Sequence, residues 1–135
     1  MVSTRGLLDT SAILILDEHL DDPRMPERLF ISAVTLAELS VGPLVARSEP
    51  ERADRLGVLQ QAEAHFDALA FDASAARAFG RVSADLRGAG RKPSARAFDA
   101  LIAATALAHH LPVVTANPRD FESIRGLDVI DLTSE

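Results

Sequence analysis

Short apolar runs, each closed by a capping or turn residue, alternate with longer helix-forming stretches from one end of this chain to the other. Strands that alternate with helices have to be joined through crossovers, and crossovers lead to parallel pairing. The expectation is an α/β fold: a central parallel sheet of about four to five short strands with helices on both faces. With 135 residues the chain suits one domain, residues 1–135, and leaves no room for a second.

Gly6 to Leu8 reads as the first strand and stops at Asp9, after which Thr10 and Ser11 offer cap-type hydroxyls to a helix over Ala12 to Leu20. Leu29 to Ile31 is strand-like. Ser32 then caps a helix from Ala33 towards Val41, which Gly42-Pro43 is expected to end or kink. Ser48, Glu49, Pro50 and Glu51 combine a cap residue, an early proline and first-turn acids, a strong start for a helix reaching about Phe66. Ala68 to Phe71 is a third strand, Asp72 and Ser74 open a helix through Leu86, and Gly88, Gly90 and Pro93 form a loop. Ser94 is the expected cap of a helix from Ala95 to His110. Pro112 to Thr115 is a fourth strand, Asn117-Pro118 a turn, and Asp128 to Leu132 a last strand.

In open α/β sheets ligands bind where strands end and helices begin, which is where Asp9 falls. Asp9 alone is also an ordinary helix cap. Glu38 is the one acid in Val34-Thr-Leu-Ala-Glu-Leu-Ser-Val41, a stripe with no basic residue within a helical turn of it. A carboxylate beside apolar surface loses hydration unless it is protonated, paired, bound to a metal or turned to solvent at the stripe's edge. Asp99 repeats this more sharply within Ala97-Phe-Asp-Ala-Leu-Ile-Ala-Ala-Thr-Ala-Leu-Ala108, although an acid near a helix N-terminus is also favoured by the dipole. Asn117 and Asp120 follow the fourth strand and should return to the same rim. Several oxygen side chains converging from distant parts of a chain repel one another unless cations lie among them.

The chemistry of such a cation is narrowed by what is missing. There is no cysteine, and His19, His65, His109 and His110 form no zinc-type spacing, so a metal would be held by oxygen, which suits Mg²⁺ or Mn²⁺. The apolar stretch near the start is broken by Asp9 and is neither a signal peptide nor a membrane span, so a cytoplasmic protein is expected. The net charge of −6 argues against non-specific coating of nucleic acid. Locally, however, Leu86 to Phe98 carries Arg87, Arg91, Lys92 and Arg96 with no acid, either a solvated loop or a local site for nucleic-acid phosphates.

Four motifs carry a resemblance: Leu7-Leu-Asp-Thr-Ser11, Ala37-Glu-Leu-Ser-Val-Gly42, Phe98-Asp-Ala-Leu-Ile-Ala-Ala-Thr-Ala106 and Thr115-Ala-Asn-Pro-Arg-Asp-Phe121. Together, and in this order, they resemble PIN-domain nucleases, and more narrowly the VapC toxins of type II toxin–antitoxin pairs. The resemblance implies a Mg²⁺- or Mn²⁺-dependent endoribonuclease that cleaves cellular RNA, is inhibited by a cognate VapB-type antitoxin, forms a homodimer, and meets operator DNA only through the antitoxin complex. Asp9, Glu38 and Asp99 fall on the family's three acidic positions. The fourth, often aspartate, is Asn117 here, with Asp120 three residues on to substitute or to assist through water. Asp9 and Asp99 are the expected direct ligands and Glu38 a ligand or water-orienting group. Thr10, Ser11 and Thr115 are expected to give hydroxyl contacts to water, metal or phosphate.

Three other readings fit less well. A haloacid dehalogenase-like phosphatase needs a second aspartate two residues after its nucleophile, where this chain has Ser11, and a receiver domain needs a lysine after its last strands, whereas the only lysine is Lys92. A catalytically weak PIN-fold interaction module draws its support from Asn117.

Overall fold

The computed structural model describes residues 4–92 and 96–134. Its elements run in the order β1 (Arg5–Leu8), α1 (Thr10–Leu14), β2 (Arg28–Ser32), α2 (Ala33–Leu44), α3 (Glu49–His65), β3 (Asp67–Leu69), α4 (Ala73–Gly88), α5 (Ala97–Ala108), β4 (Val113–Thr115) and β5 (Val129–Asp131). The five strands form one parallel sheet in the order β3-β2-β1-β4-β5. The expected α/β architecture is therefore the observed one.

Successive residues of a strand point to opposite faces, and a strand covered on both faces is apolar throughout. Leu7 joins Val113 and the buried residues of α4 and α5 in one core, whereas Leu8 joins Val114, Ile31 and residues of α1, α2 and α3 in the other. In register, Leu7 lies beside Phe30 and Val113, and Leu8 beside Ile31 and Val114. This fixes α4 and α5 on one face and α1 to α3 on the other. Gly6 makes the close packing possible: a Cβ there would stand 2.8 Å from Pro26 Cγ and 3.1 Å from Val114 Cγ2.

From β1 the chain moves outward to β2 and β3, then crosses back to lay β4 on the other side of β1. The crevice between the carboxyl ends of β1 and β4 is the point at which strand order reverses, the usual ligand position in such sheets. Asp9 and Thr115 stand on its two sides.

Several local expectations need correction. The helix expected over Ala12 to Leu20 is shorter and starts earlier: α1 ends at Leu14 and a separate 3₁₀ turn covers Leu16–Glu18. Its cap is Asp9, not Thr10 or Ser11. Gly42-Pro43 does not end α2, which runs through both to Leu44. A proline there forfeits a single backbone bond in the last turn, and Arg55 Nη1 donates to the Gly42 carbonyl at 3.0 Å. Likewise α4 continues through Gly88, which was expected in the loop, and the third strand stops at Leu69 rather than Phe71. The cap expected at Ser94, the helix start at Ala95 and the loop residue Pro93 lie outside the described residues. The caps expected at Ser32, Ser48 and Asp72 are all present, accepting from Val34, Glu51 and Ala75 N–H respectively.

Candidate active site

Asp9 is held by its own helix and by the neighbouring strand. Oδ1 accepts from Ala12 N–H at 2.9 Å and from Ser11 Oγ at 2.7 Å, and Oδ2 accepts from Thr115 Oγ1 at 2.6 Å. Capping and siting are thus one geometry: the helix cap pins the carboxylate at the rim. A carboxylate offers about four lone-pair directions, and those three bonds leave one open on Oδ2. Asp9 is 3% exposed. Burial raises its pKa, against the lowering effect of the three hydrogen bonds, and the charge of Asp120 raises it further.

Ser11 and Thr115 extend this lock. Ser11 Oγ lies 3.3 Å from Thr115 Oγ1 and accepts from Ala116 N–H at 3.0 Å, while Thr115 Oγ1 accepts from Asn117 N–H at 2.9 Å. Thr10 serves a different acid: its hydroxyl donates to Glu38 Oε1 at 2.7 Å and lies 3.3 Å from Thr35 Oγ1. All three expected hydroxyls therefore sit at the site, and buried Thr35, not among the residues expected there, backs Thr10. Its only sequence signal was a hydroxyl three residues before Glu38 in an apolar stripe.

Asp99 stands in the first turn of α5. The helix N-terminus favours its charge, yet burial and then the like charges of Asp120, Asp9 and Glu38 push its pKa up to about 6, with Arg96 opposing. Desolvation and repulsion outweigh the dipole. Through these interactions the four acids share one electrostatic neighbourhood, although they come from the junction of β1 and α1, from α2, from α5 and from the 3₁₀ turn Pro118–Phe121. Of the two residues expected after β4, Asp120 is the one whose charge reaches Asp9 and Asp99. Asn117 is exposed and takes part through its backbone N–H.

The basic stretch divides. Arg96 turns onto the acids, 3.2 Å from Asp120 Oδ1 and 4.0 Å from Asp99 Oδ2. Arg91 donates to the Glu122 carbonyl at 3.1 Å, Arg87 lies exposed in the last turn of α4, and Lys92 is exposed. Beside the acids a cavity of about 410 Å³ is lined by Arg96, Ala116, Asn117, Pro118, Arg119 and Asp120. Arg119 was not anticipated, because a single arginine between proline and aspartate forms no pattern.

The PIN domain family model matches residues 6–127. The chain belongs to the PIN-domain family. Within it, the chain is 36% identical over 129 residues to Ribonuclease VapC5 of Mycobacterium tuberculosis, covering 94% of this chain and 93% of that protein. Among solved structures, the PIN fold seen here is similar to that in the toxin–antitoxin complex VapBC-5 of Mycobacterium tuberculosis, with a TM-score of 0.81 and 34% identity over 96% of this chain and 99% of that one. It is also similar to DNA-bound VapBC of Salmonella typhimurium, with a TM-score of 0.73 and 28% identity over 97% and 98% of the two chains. The resemblance read from the four motifs is thus the family that the whole chain supports. No helix among the described residues of this PIN domain is long and apolar enough to cross a membrane.

Proposed function

We propose that the chain is a Mg²⁺- or Mn²⁺-dependent endoribonuclease, the cytoplasmic toxin of a type II toxin–antitoxin pair, which cuts tRNA, rRNA or mRNA until a VapB-type antitoxin neutralises it. The observation that carries this reading is Asp99, held against burial and three like charges at a position where a neutral residue would be more comfortable. The similarity to a ribonuclease and to toxin–antitoxin complexes supports the substrate class and the partner. Operator DNA is expected to be met through the antitoxin, and a homodimer is the expected form; the DNA-bound relative supports the former.

The donor set fits a hard divalent ion: the candidate ligands are all oxygen, and Asp9 keeps a lone pair open. Among the described residues no three acids or histidines are already closed around a single point, and Arg96 supplies positive charge to two of them. When bound, a divalent ion supplies the acidity that makes water nucleophilic and the charge that offsets the developing phosphoryl anion. Asp9 and Asp99 are the proposed ligands, with Asp120 rather than Asn117 as the fourth acid. Glu38, fixed by Thr10, is either a further ligand or the group that orients water. Ser11 and Thr115 keep Asp9 from rotating. Arg87, Arg91 and Lys92 remain candidates for distant RNA phosphates, and Arg96 reaches the substrate only after leaving Asp120.

The test is cleavage of total RNA by purified, antitoxin-free protein with Mg²⁺ or Mn²⁺ and with EDTA, comparing the natural chain with Asp99→Asn. Defined fragments that vanish with EDTA and with the substitution support the reading. Cleavage by neither protein, together with no divalent-ion binding, overturns it in favour of an interaction module.

A further inference from the structure

Building on the ribonuclease reading, we propose that the cavity beside the acids is the subsite for the RNA backbone next to the bond being cut, and that Arg119 is its positioning residue. The cavity is about 410 Å³, within the roughly 300–1,000 Å³ typical of ligand pockets. Two guanidinium groups and one carboxylate line it, so it carries a positive excess, whereas Asp9, Glu38 and Asp99 make the rest of the rim acidic. The bare carboxylates repel an RNA phosphate, and the guanidinium groups of this wall attract it.

The two arginines are not equivalent. Arg96 is already engaged with Asp120 at 3.2 Å. The guanidinium of Arg119 has no hydrogen-bond or ion-pair partner among the described residues, and the residue is exposed. Arg119 also shares the 3₁₀ turn Pro118–Phe121 with Asp120, and that turn is anchored by Phe121, 2% exposed, and by the bond from Asp120 N–H to the Asn117 carbonyl at 3.0 Å. One short rigid turn therefore sets the separation between a cation for a flanking phosphate and an acid of the reacting centre. The apolar part of the lining is Ala116 and Pro118, with no aromatic ring for a base to stack on. The subsite thus takes phosphate and sugar, and it positions the strand without reading its sequence.

The test uses the full chain carrying Asp99→Asn as an uncut binder, with a short labelled single-stranded RNA of mixed sequence in the presence of Mn²⁺. Adding Arg119→Gln is expected to weaken binding at low salt and to reduce the slope of log affinity against log salt by about 0.7, the loss of one phosphate contact to a single strand. Arg119→Lys should restore the slope. Arg52→Gln, an equal charge change on α3 and outside the cavity, should leave it unaltered. In the otherwise natural chain Arg119→Gln should raise KM and spare kcat, with an unchanged melting temperature, since the arginine holds substrate rather than fold. If the Asp99→Asn protein binds RNA and Arg119→Gln binds it with the same affinity and slope, the subsite is wrong and the ribonuclease reading stands. If neither the natural chain nor the Asp99→Asn protein binds or cuts RNA, the ribonuclease reading falls and takes the subsite with it.

Discussion

The hydroxyl of Thr115 donates to Asp9 Oδ2 at 2.6 Å and so ties the ends of β4 and β1 together across 106 positions of sequence. Thr115 is fully buried and also accepts from Asn117 N–H at 2.9 Å. Thr115→Val keeps the shape but leaves the buried Asp9 oxygen and the Asn117 N–H without that partner. The expected loss is about 1–3 kcal/mol in urea unfolding, largely recovered by Thr115→Ser. A valine variant as stable as the natural chain would mean that the hydroxyl does not lock Asp9.

Asp99 makes metal-free stability depend on pH with an unusual sign. Its pKa rises from 3.8 to about 6 on folding, so the folded chain holds this proton more tightly than the unfolded chain. Below the unfolded value the group is neutral in both states and costs nothing. As pH rises from about 4 through 6 the folded state loses stability, reaching a penalty on the order of 2–3 kcal/mol above that window. Asp99→Asn removes the penalty. In EDTA the variant should therefore unfold at higher urea than the natural chain at about pH 8, with the difference gone near pH 4. Equal midpoints at the higher pH would contradict the strained-acid account.

Gly6 links the strand packing to the site. Gly6→Ala drives a Cβ to 2.8 Å from the Pro26 ring and 3.1 Å from Val114, the residue before Thr115. Overpacking of this kind costs about 1–3 kcal/mol, more than the few tenths to 1 kcal/mol gained from a stiffer unfolded chain. Thermal unfolding measures the balance, and an unchanged melting temperature would mean that the Pro26 loop yields without strain.

Much of the fold was legible because a parallel sheet covered on both faces writes itself as uninterrupted apolar pairs, Leu7-Leu8 and Val113-Val114, and because Ser32, Ser48 and Asp72 cap with their own side chains. The end of α1 was not legible: Ile13, Ile15 and Leu16 all pack against the core, so their apolar run continues past the point where the backbone leaves the helix. Gly42-Pro43 misled because the proline falls in the last turn of α2, where its missing N–H forfeits one bond and the helix ends one residue later. At the site, Asp9, Glu38 and Asp99 stood out as acids in apolar surroundings. The choice between Asn117 and Asp120 depends on how a 3₁₀ turn aims its residues, and the basic stretch gave no sign that Arg96 would fold back onto the acids.

The central claim is that these carboxylates form a divalent-metal centre, and its most direct measurement is calorimetric titration of Mn²⁺ into metal-free protein at neutral pH, for the natural chain and for Asp99→Asn. The account predicts saturable binding by the natural chain, weakened by about tenfold or more in the variant, since loss of even a ligand's outer partners costs 10–100-fold. Because Asp99→Asn is expected to be the more stable protein, such a loss would not reflect unfolding. Equal binding by both proteins, or none by the natural chain, would contradict the metal centre.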